Sequence, residues 1–137
     1  MIFLFTITGF SQYNVGKDKL AVDGYDVVAY FENMAVQGSK DLTTSHNGIQ
    51  YRFSSRKNLE AFSAQPEKYL PKYGGWCAYA MAQTGDKVEI NPKTFKIING
   101  ELYLFYNKLF NNTLDSWNKN ERELLPKADS NWARLNL

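Results

Sequence analysis

The sequence predicts an α+β fold, in which a small antiparallel sheet carries short helices packed mainly on one face. Three observations lead to this prediction. Asn-Gly pairs at residues 47–48 and 99–100 each lie between two β-prone runs, which is the strongest short-range signal for a hairpin. A continuous β-rich run at residues 26–31 adds an N-terminal strand. From Leu114 onward the apolar spacing becomes helical.

The predicted strands differ in how they should be buried. Residues 26–31 read Asp-Val-Val-Ala-Tyr-Phe, an uninterrupted run that is consistent with a buried strand. At residues 49–53, Ile, Tyr and Phe alternate with Gln and Arg, which predicts one core face and one wet face. The strand at residues 101–105 has two leucines on one face and two aromatic residues on the other, so we expect it to be covered on both sides.

Helix boundaries follow from caps and prolines. Ser54-Ser55 offers an N-cap for a helix that Pro66 interrupts. The alanine-rich run after Cys77 predicts a helix that ends near Gly85. The helix from Leu114 is expected to end at Pro126, with a short final helix at residues 128–135.

Composition predicts a single domain, which we place at residues 20–137. The chain has 137 residues, of which 44% are hydrophobic and 15% aromatic, enough for one core built on aromatic rings. A net charge of +2 is too weak a bias to indicate a nucleic-acid partner. One cysteine and one histidine exclude an internal disulfide and zinc sites built from several cysteines or several histidines.

Residues 1–12 resemble the apolar region of a secretory signal that lacks its basic start. The apolar run is too short for a membrane-spanning helix, which needs about 20 residues. We therefore predict a signal remnant with a misassigned start codon, a periplasmic or secreted protein, and no stable membrane span. An N-terminal β-strand is the open alternative.

The stretch from Tyr73 to Met81 reads Tyr-Gly-Gly-Trp-Cys-Ala-Tyr-Ala-Met. Two glycines permit a turn that side-chain-bearing residues resist, and the alanine-rich run then starts a helix. Cys77 is predicted in the first helical turn, where unpaired N–H groups favour a thiolate.

Several fragments, in this order and spacing, resemble the YHS domain family, in particular its exported single-domain bacterial branch. The resemblance covers about residues 23–135. It rests on the fragments at residues 25–31, 51–55, 66–69, 73–80, 100–107 and 131–132.

The resemblance implies a small module, because YHS domains accompany metal-transporting ATPases and oxygenase-type proteins. Heavy-metal binding is inferred for them from cysteines in an Asp-Pro-Val-Cys and a Phe-Cys-Ser-x-x-Cys segment. Those cysteines fall on Ala29, Ser54 and Asn58 here, so none of them is a thiol, and only Asp26 of the first segment remains. The implied metal site is therefore not carried over intact.

Four residues are candidate ligands for a metal ion or small molecule. A helix would place the Met81 thioether beside Cys77, and this pair prefers Cu(I) to hard cations. His46, at a predicted hairpin tip, would be a metal ligand, a proton carrier or an ordinary surface residue. Asp26 would cap backbone N–H groups or ligate a metal. Core packing is the open alternative for Cys77 and Met81.

Aromatic residues around the Gly-Gly turn are candidates for lining a small-molecule pocket, since ring side chains with polar tips are common in such pockets. The candidates are Tyr30, Tyr73, Gly74, Gly75, Trp76 and Tyr79.

The residues favour a non-catalytic, exported binding module that holds a soft metal ion such as copper, or a small ligand, near Cys77. Two alternatives remain open: a thiol-dependent redox protein or enzyme with Cys77 as nucleophile, and a structural domain with an inert Cys77. No phosphate-binding loop, serine elbow or basic patch interleaved with aromatics is present.

Overall fold

The computed structural model describes residues 12–136 and confirms the α+β prediction, with antiparallel two-stranded sheets and short helices. The predicted signal segment, apart from Gln12, lies outside the described residues. The strands are β1 (Ser39–His46), β2 (Ile49–Phe53), β3 (Asn91–Ile98), β4 (Glu101–Phe105), β5 (Asn107–Lys108) and β6 (Asn111–Asn112). The helices are α1 (Arg56–Ala64), α2 (Pro66–Tyr69), α3 (Ala78–Gln83), α4 (Thr113–Lys119) and α5 (Glu121–Leu135).

Both predicted Asn-Gly hairpins are present. Asn47 and Gly48 have φ of 52° and 81°, and they join β1 to β2 in antiparallel register. Asn99 and Gly100 have φ of 51° and 77° between β3 and β4. Positive φ at both central residues is the backbone of a type I′ turn, which Asn-Gly adopts most readily. The hairpins form separate sheets, and a third hairpin, β5–β6, was not predicted.

Strand β4 separates two buried clusters, as the pattern of its side chains predicts. Leu102 and Leu104 pack with the β1–β2 hairpin and α1. Tyr103 and Phe105 pack on the other face with α3, α4 and α5. An isolated parallel bridge also joins Leu102 to Pro71. Through this bridge the central strand positions the segment that leads into the Gly-Gly turn.

The prediction of a strand at residues 26–31 is wrong. The chain turns there and forms a short 3-10 helix at Ala29–Glu32. Asp26 Oδ1 accepts hydrogen bonds from the backbone N–H groups of Val28 and Ala29, at 2.9 and 3.1 Å. An aspartate that bonds the N–H groups two and three residues ahead closes a turn, which competes with an extended backbone.

The helix boundaries are predicted correctly except at the C-terminus. Ser55 caps α1 by accepting from the N–H of Asn58 at 3.1 Å, and α3 ends before Gly85, whose φ is 79°. Pro126, however, lies inside α5. The helical break instead falls at Asn120, between α4 and α5. Buried residues on both sides of Pro126 hold α5 on the core, which offsets its missing N–H.

Within the described residues, no helix combines the length and apolar character needed to cross a bilayer.

Candidate functional site

Three successive residues of the Tyr73–Gly75 turn have left-handed backbone conformations. Their φ angles are 57°, 60° and 87°. Glycine adopts this region freely, whereas a tyrosine pays a steric cost of about 1–2 kcal/mol. Tyr73 is held there because its ring is buried and its hydroxyl donates to Asp129 Oδ1 at 2.8 Å. Strained backbone held by its surroundings is common at functional sites.

Gly74 is required by close packing as well as by backbone angle. A Cβ at this position would lie 2.8 Å from Tyr13 Cδ1 and 3.0 Å from Trp132 Cη2. Its carbonyl accepts from the N–H of Asn14 at 2.8 Å, and the Gly75 carbonyl accepts from Asn14 Nδ2 at 3.1 Å. The turn therefore brings the start of the described chain and the last helix together.

This turn forms one wall of a cavity of about 260 Å³. The end of the β1–β2 hairpin forms another part of the wall, with His46, Ile49 and Tyr51. The other contributors come from distant parts of the chain. Its apolar and aromatic lining consists of Tyr13, Val15, Ala21, Val22, Ile49, Tyr51, Leu70, Pro71, Tyr73 and Trp132.

The charged groups that line the cavity balance in sign. Glu67 and Glu101 are carboxylates, and Lys68 and Lys72 are ammonium groups. His46 Nε2 lies 3.3 Å from Glu67 Oε1, and Lys72 Nζ lies 3.2 Å from Glu101 Oε2. The cavity lining therefore combines apolar and polar surface, with no excess charge from its acidic and lysine side chains.

Tyr51 is a buried residue that lines the cavity. Its ring packs against Phe62, with the ring centroids 4.8 Å apart. Burial, with smaller contributions from Tyr13 and Glu67, raises the pKa of Tyr51 well above its usual value. The hydroxyl therefore remains protonated at physiological pH and can donate a hydrogen bond.

Val22 is a second strained residue in the cavity wall. Its φ is 50°, although a β-branched side chain makes this region especially unfavourable. The strain lies in a turn closed by a hydrogen bond of 2.9 Å from the N–H of Tyr25 to the Val22 carbonyl. Three non-glycine residues with left-handed backbone, Val22, Asn47 and Tyr73, thus line one cavity.

Cys77 and Met81 lie in the core and do not line this cavity. Both are fully buried, with Cys77 as the residue preceding α3. The Cys77 sulfur accepts from the N–H of Tyr106 at 3.2 Å and lies 3.5 Å from Thr113 Oγ1. Cys77 and Met81 belong to different buried clusters. Helix α3 has six residues, too short for a strong helix dipole at Cys77.

Asp26 is fully buried, and both of its carboxylate oxygens accept hydrogen bonds. In addition to the two N–H groups of its own turn, Oδ2 accepts from Ser54 N at 2.8 Å, Ser54 Oγ at 2.7 Å and Asn58 Nδ2 at 2.8 Å. This is the capping role expected of Asp26, extended across the chain to α1.

The remaining pocket candidates lie away from the cavity. Tyr30 is buried beside Phe95, and its hydroxyl donates to the Pro92 carbonyl at 2.5 Å. Trp76 Nε1 donates to the Gln12 carbonyl at 2.7 Å. The Tyr79 hydroxyl accepts from Gln83 Nε2 at 2.8 Å. Of the predicted site residues, the cavity therefore unites His46, Tyr73, Gly74 and Gly75.

For the other main contributors to the cavity, the sequence favoured core packing of Tyr51 over a pocket role and did not indicate Trp132. Tyr51 reads as an ordinary inward residue of a strand, and Trp132 as an apolar position of a terminal helix. Trp132 meets Tyr13 and Tyr73 at centroid distances of 6.4 and 6.5 Å, contacts made only when the chain folds. Among residues 12–136, no group of three or more His, Cys, Asp or Glu side chains is placed to hold a metal ion.

No family model, curated protein or solved structure matches the chain.

Proposed function

We propose that this protein is a non-catalytic binding module that takes a small, uncharged, ring-containing molecule in the cavity beside the Tyr73–Gly75 turn. The observation that carries the proposal is the cavity itself, which is walled by aromatic rings from four separate parts of the chain. Small-molecule sites are usually preformed concave clefts that combine apolar and aromatic side chains with a few polar groups.

The size of the cavity sets the class of ligand. A cavity of about 150 Å³ suffices to bind benzene. At about 260 Å³, this one has room for a fused pair of rings such as indole. A flat ligand would also find ring faces on Tyr13, Tyr73 and Trp132, which favour offset or edge-on contacts.

The polar groups favour an uncharged ligand with one hydrogen-bonding group. Glu101 is paired with the Lys72 ammonium, and Glu67 lies 3.3 Å from His46 Nε2, so a charged ligand would compete with these contacts. The Tyr51 hydroxyl offers a donor to a ligand acceptor. The soft-metal version of the hypothesis draws no support from Cys77 and Met81, because both are enclosed in the core.

The proposal is tested by titrating indole into the full chain in a calorimeter. We expect saturable one-site binding that Leu70→Trp weakens at least about tenfold, because the larger ring fills the cavity. Leu59→Trp is the matched control: Leu59 packs against the same core cluster as Leu70 but does not line the cavity. Absence of saturable binding to the wild type, or equal weakening by both substitutions, would overturn the proposal.

We also propose that the chain is a divergent, exported YHS-type domain. The support is geometric: the positions on which the family cysteines fall, Ala29, Ser54 and Asn58, all donate hydrogen bonds to Asp26. A shared metal site would require these positions to converge in the same way. Export is tested by sequencing the N-terminus of protein recovered from the periplasm; an uncleaved cytoplasmic chain would refute it.

A further inference from the structure

The β5–β6 hairpin ends in an unusual two-residue turn, Leu109–Phe110. Their φ angles are 48° and 68°, close to those of Asn47–Gly48 and Asn99–Gly100 in the two other hairpins. A turn of this type favours Asn and Gly because the left-handed region is sterically costly for other side chains. The chain thus uses the favourable residues twice and two large apolar residues at the third turn.

These two side chains are also the most exposed large hydrophobic residues among those described. The relative exposure of Leu109 is 89% and that of Phe110 is 108%, whereas the next, Met34, reaches 46%. The turn therefore projects as a convex apolar tip. The backbone of this turn disfavours Leu and Phe, and neither side chain is buried in this chain. The fold of the chain itself therefore does not explain why these two residues occur here.

The base of the hairpin is firmly held. Asn107 Nδ2 donates to Thr94 Oγ1 at 3.1 Å, and the Thr113 hydroxyl donates to the Tyr106 carbonyl at 2.6 Å. Asn112 caps α4 by accepting from the N–H of Leu114 at 3.0 Å. The tip is therefore presented on a rigid base.

Charge around the tip is basic. Residues 105–114 include Lys108, directly beside Leu109, and no acidic residue. An apolar tip with Lys108 beside it matches the interface of an anionic membrane, where apolar side chains enter and lysine ammonium groups meet lipid headgroups.

We propose that the Leu109–Phe110 tip inserts into the surface of an anionic lipid bilayer and docks the protein there reversibly. A convex tip of two side chains is much smaller than the roughly 800 Å² per partner of a stable protein interface. A bilayer surface requires no complementary shape. Two buried side chains give weak attachment, comparable to that of other single membrane signals.

The test is flotation of the full chain with phosphatidylcholine vesicles, prepared with and without phosphatidylserine. The key variant is Leu109→Asn with Phe110→Gly, which copies the turn residues of the two other hairpins. We expect this variant to fold at least as stably as the wild type and to bind vesicles at least about tenfold more weakly. Met34→Ser, which removes a different exposed apolar side chain, should leave binding unchanged.

Several results would overturn the proposal. These are no vesicle binding by the wild type, equal binding by the turn variant, or binding that phosphatidylserine does not strengthen. Sedimentation would identify the competing occupant, a second copy of the chain. If the wild type self-associates and the turn variant is monomeric, with no vesicle binding by either, the tip is a dimer contact.

Discussion

The Asp26 carboxylate holds Ser54 by two hydrogen bonds at once, from its backbone N–H at 2.8 Å and from its hydroxyl at 2.7 Å. These bonds join the turn before the first hairpin to the start of α1, 28 positions apart in sequence. A buried carboxylate is costly unless it is fully hydrogen-bonded, and here every donor is a neutral group. Asp26 is therefore a structural centre of the fold.

Asp26→Asn should destabilise the protein by about 3 kcal/mol, measured by urea unfolding. The amide keeps one acceptor oxygen but directs its NH2 group at the backbone N–H of Ser54 or at those of Val28 and Ala29, and a backbone N–H can only donate. Asp41→Asn, at an exposed site, should change the free energy of unfolding by less than about 0.5 kcal/mol. Equal small effects would show that the Asp26 network contributes little.

Gly74→Ala should cost more stability than Gly100→Ala, although both glycines have positive φ. At Gly100 nothing lies within 4 Å of the added methyl group, so only backbone strain of about 1–2 kcal/mol applies. At Gly74 the methyl group would also press on Tyr13 and Trp132, adding about 1–3 kcal/mol. Thermal unfolding of the pair measures the difference, and a Gly100→Ala effect as large as that of Gly74→Ala would contradict the packing at the turn.

The Cys77 thiol should resist alkylation in the native protein. It is fully buried and already accepts the N–H of Tyr106, so a reagent reaches it only after unfolding. We expect iodoacetamide to label the native protein at least about a hundredfold more slowly than the protein unfolded in denaturant. Rapid labelling of the folded protein would instead favour the hypothesis that Cys77 is a nucleophile.

The Lys96–Glu121 ion pair should stabilise the protein at neutral pH and not in acid. The Lys96 ammonium, 2.6 Å from Glu121 Oε1, lowers the pKa of Glu121, and the bond from Trp117 assists. A lowered folded-state pKa gives stability that is present above the unfolded value of about 4.3 and lost as pH falls through the folded value.

Lys96→Met should therefore reduce the free energy of unfolding by about 0.2–1 kcal/mol near pH 7, and by much less near pH 2. The matched control is Lys93→Met, on the same strand, whose ammonium forms no ion pair within the described residues. A loss that is the same at both pH values would mean that Lys96 acts by packing alone.

Local rules predicted most of the hairpins and helix caps. Asn47-Gly48 and Asn99-Gly100 specify their turns through the backbone preferences of two residues, and Ser55 caps α1 through one hydroxyl. The β5–β6 hairpin was missed because Leu109–Phe110 lacks the residues that favour its backbone. The strand predicted at residues 26–31 failed because Asp26 closes a turn with partners that lie far along the chain.

The candidate site was predictable only in part. The two glycines after Tyr73 indicated a special turn, and that turn lines the cavity. The rest of the wall depends on how the β1–β2 hairpin and α5 pack near the turn, and nothing in the local sequence around Tyr51 or Trp132 predicts that contact. The lone thiol led to the prediction of a site at Cys77, but Cys77 lies in the core. It follows Gly75 of the cavity wall by two positions in the sequence and does not itself line the cavity.

The central claim is that a small ring-containing molecule occupies the cavity beside the Tyr73–Gly75 turn. Its most direct test is a methyl-resolved NMR titration of the full chain with indole. We expect saturable shifts at the cavity-lining methyl groups of Val15, Val22, Ile49 and Leu70. We expect none at Leu124, which belongs to the other buried cluster and does not line the cavity. Shifts confined to residues outside the cavity, or no shifts at saturating indole, would contradict the account.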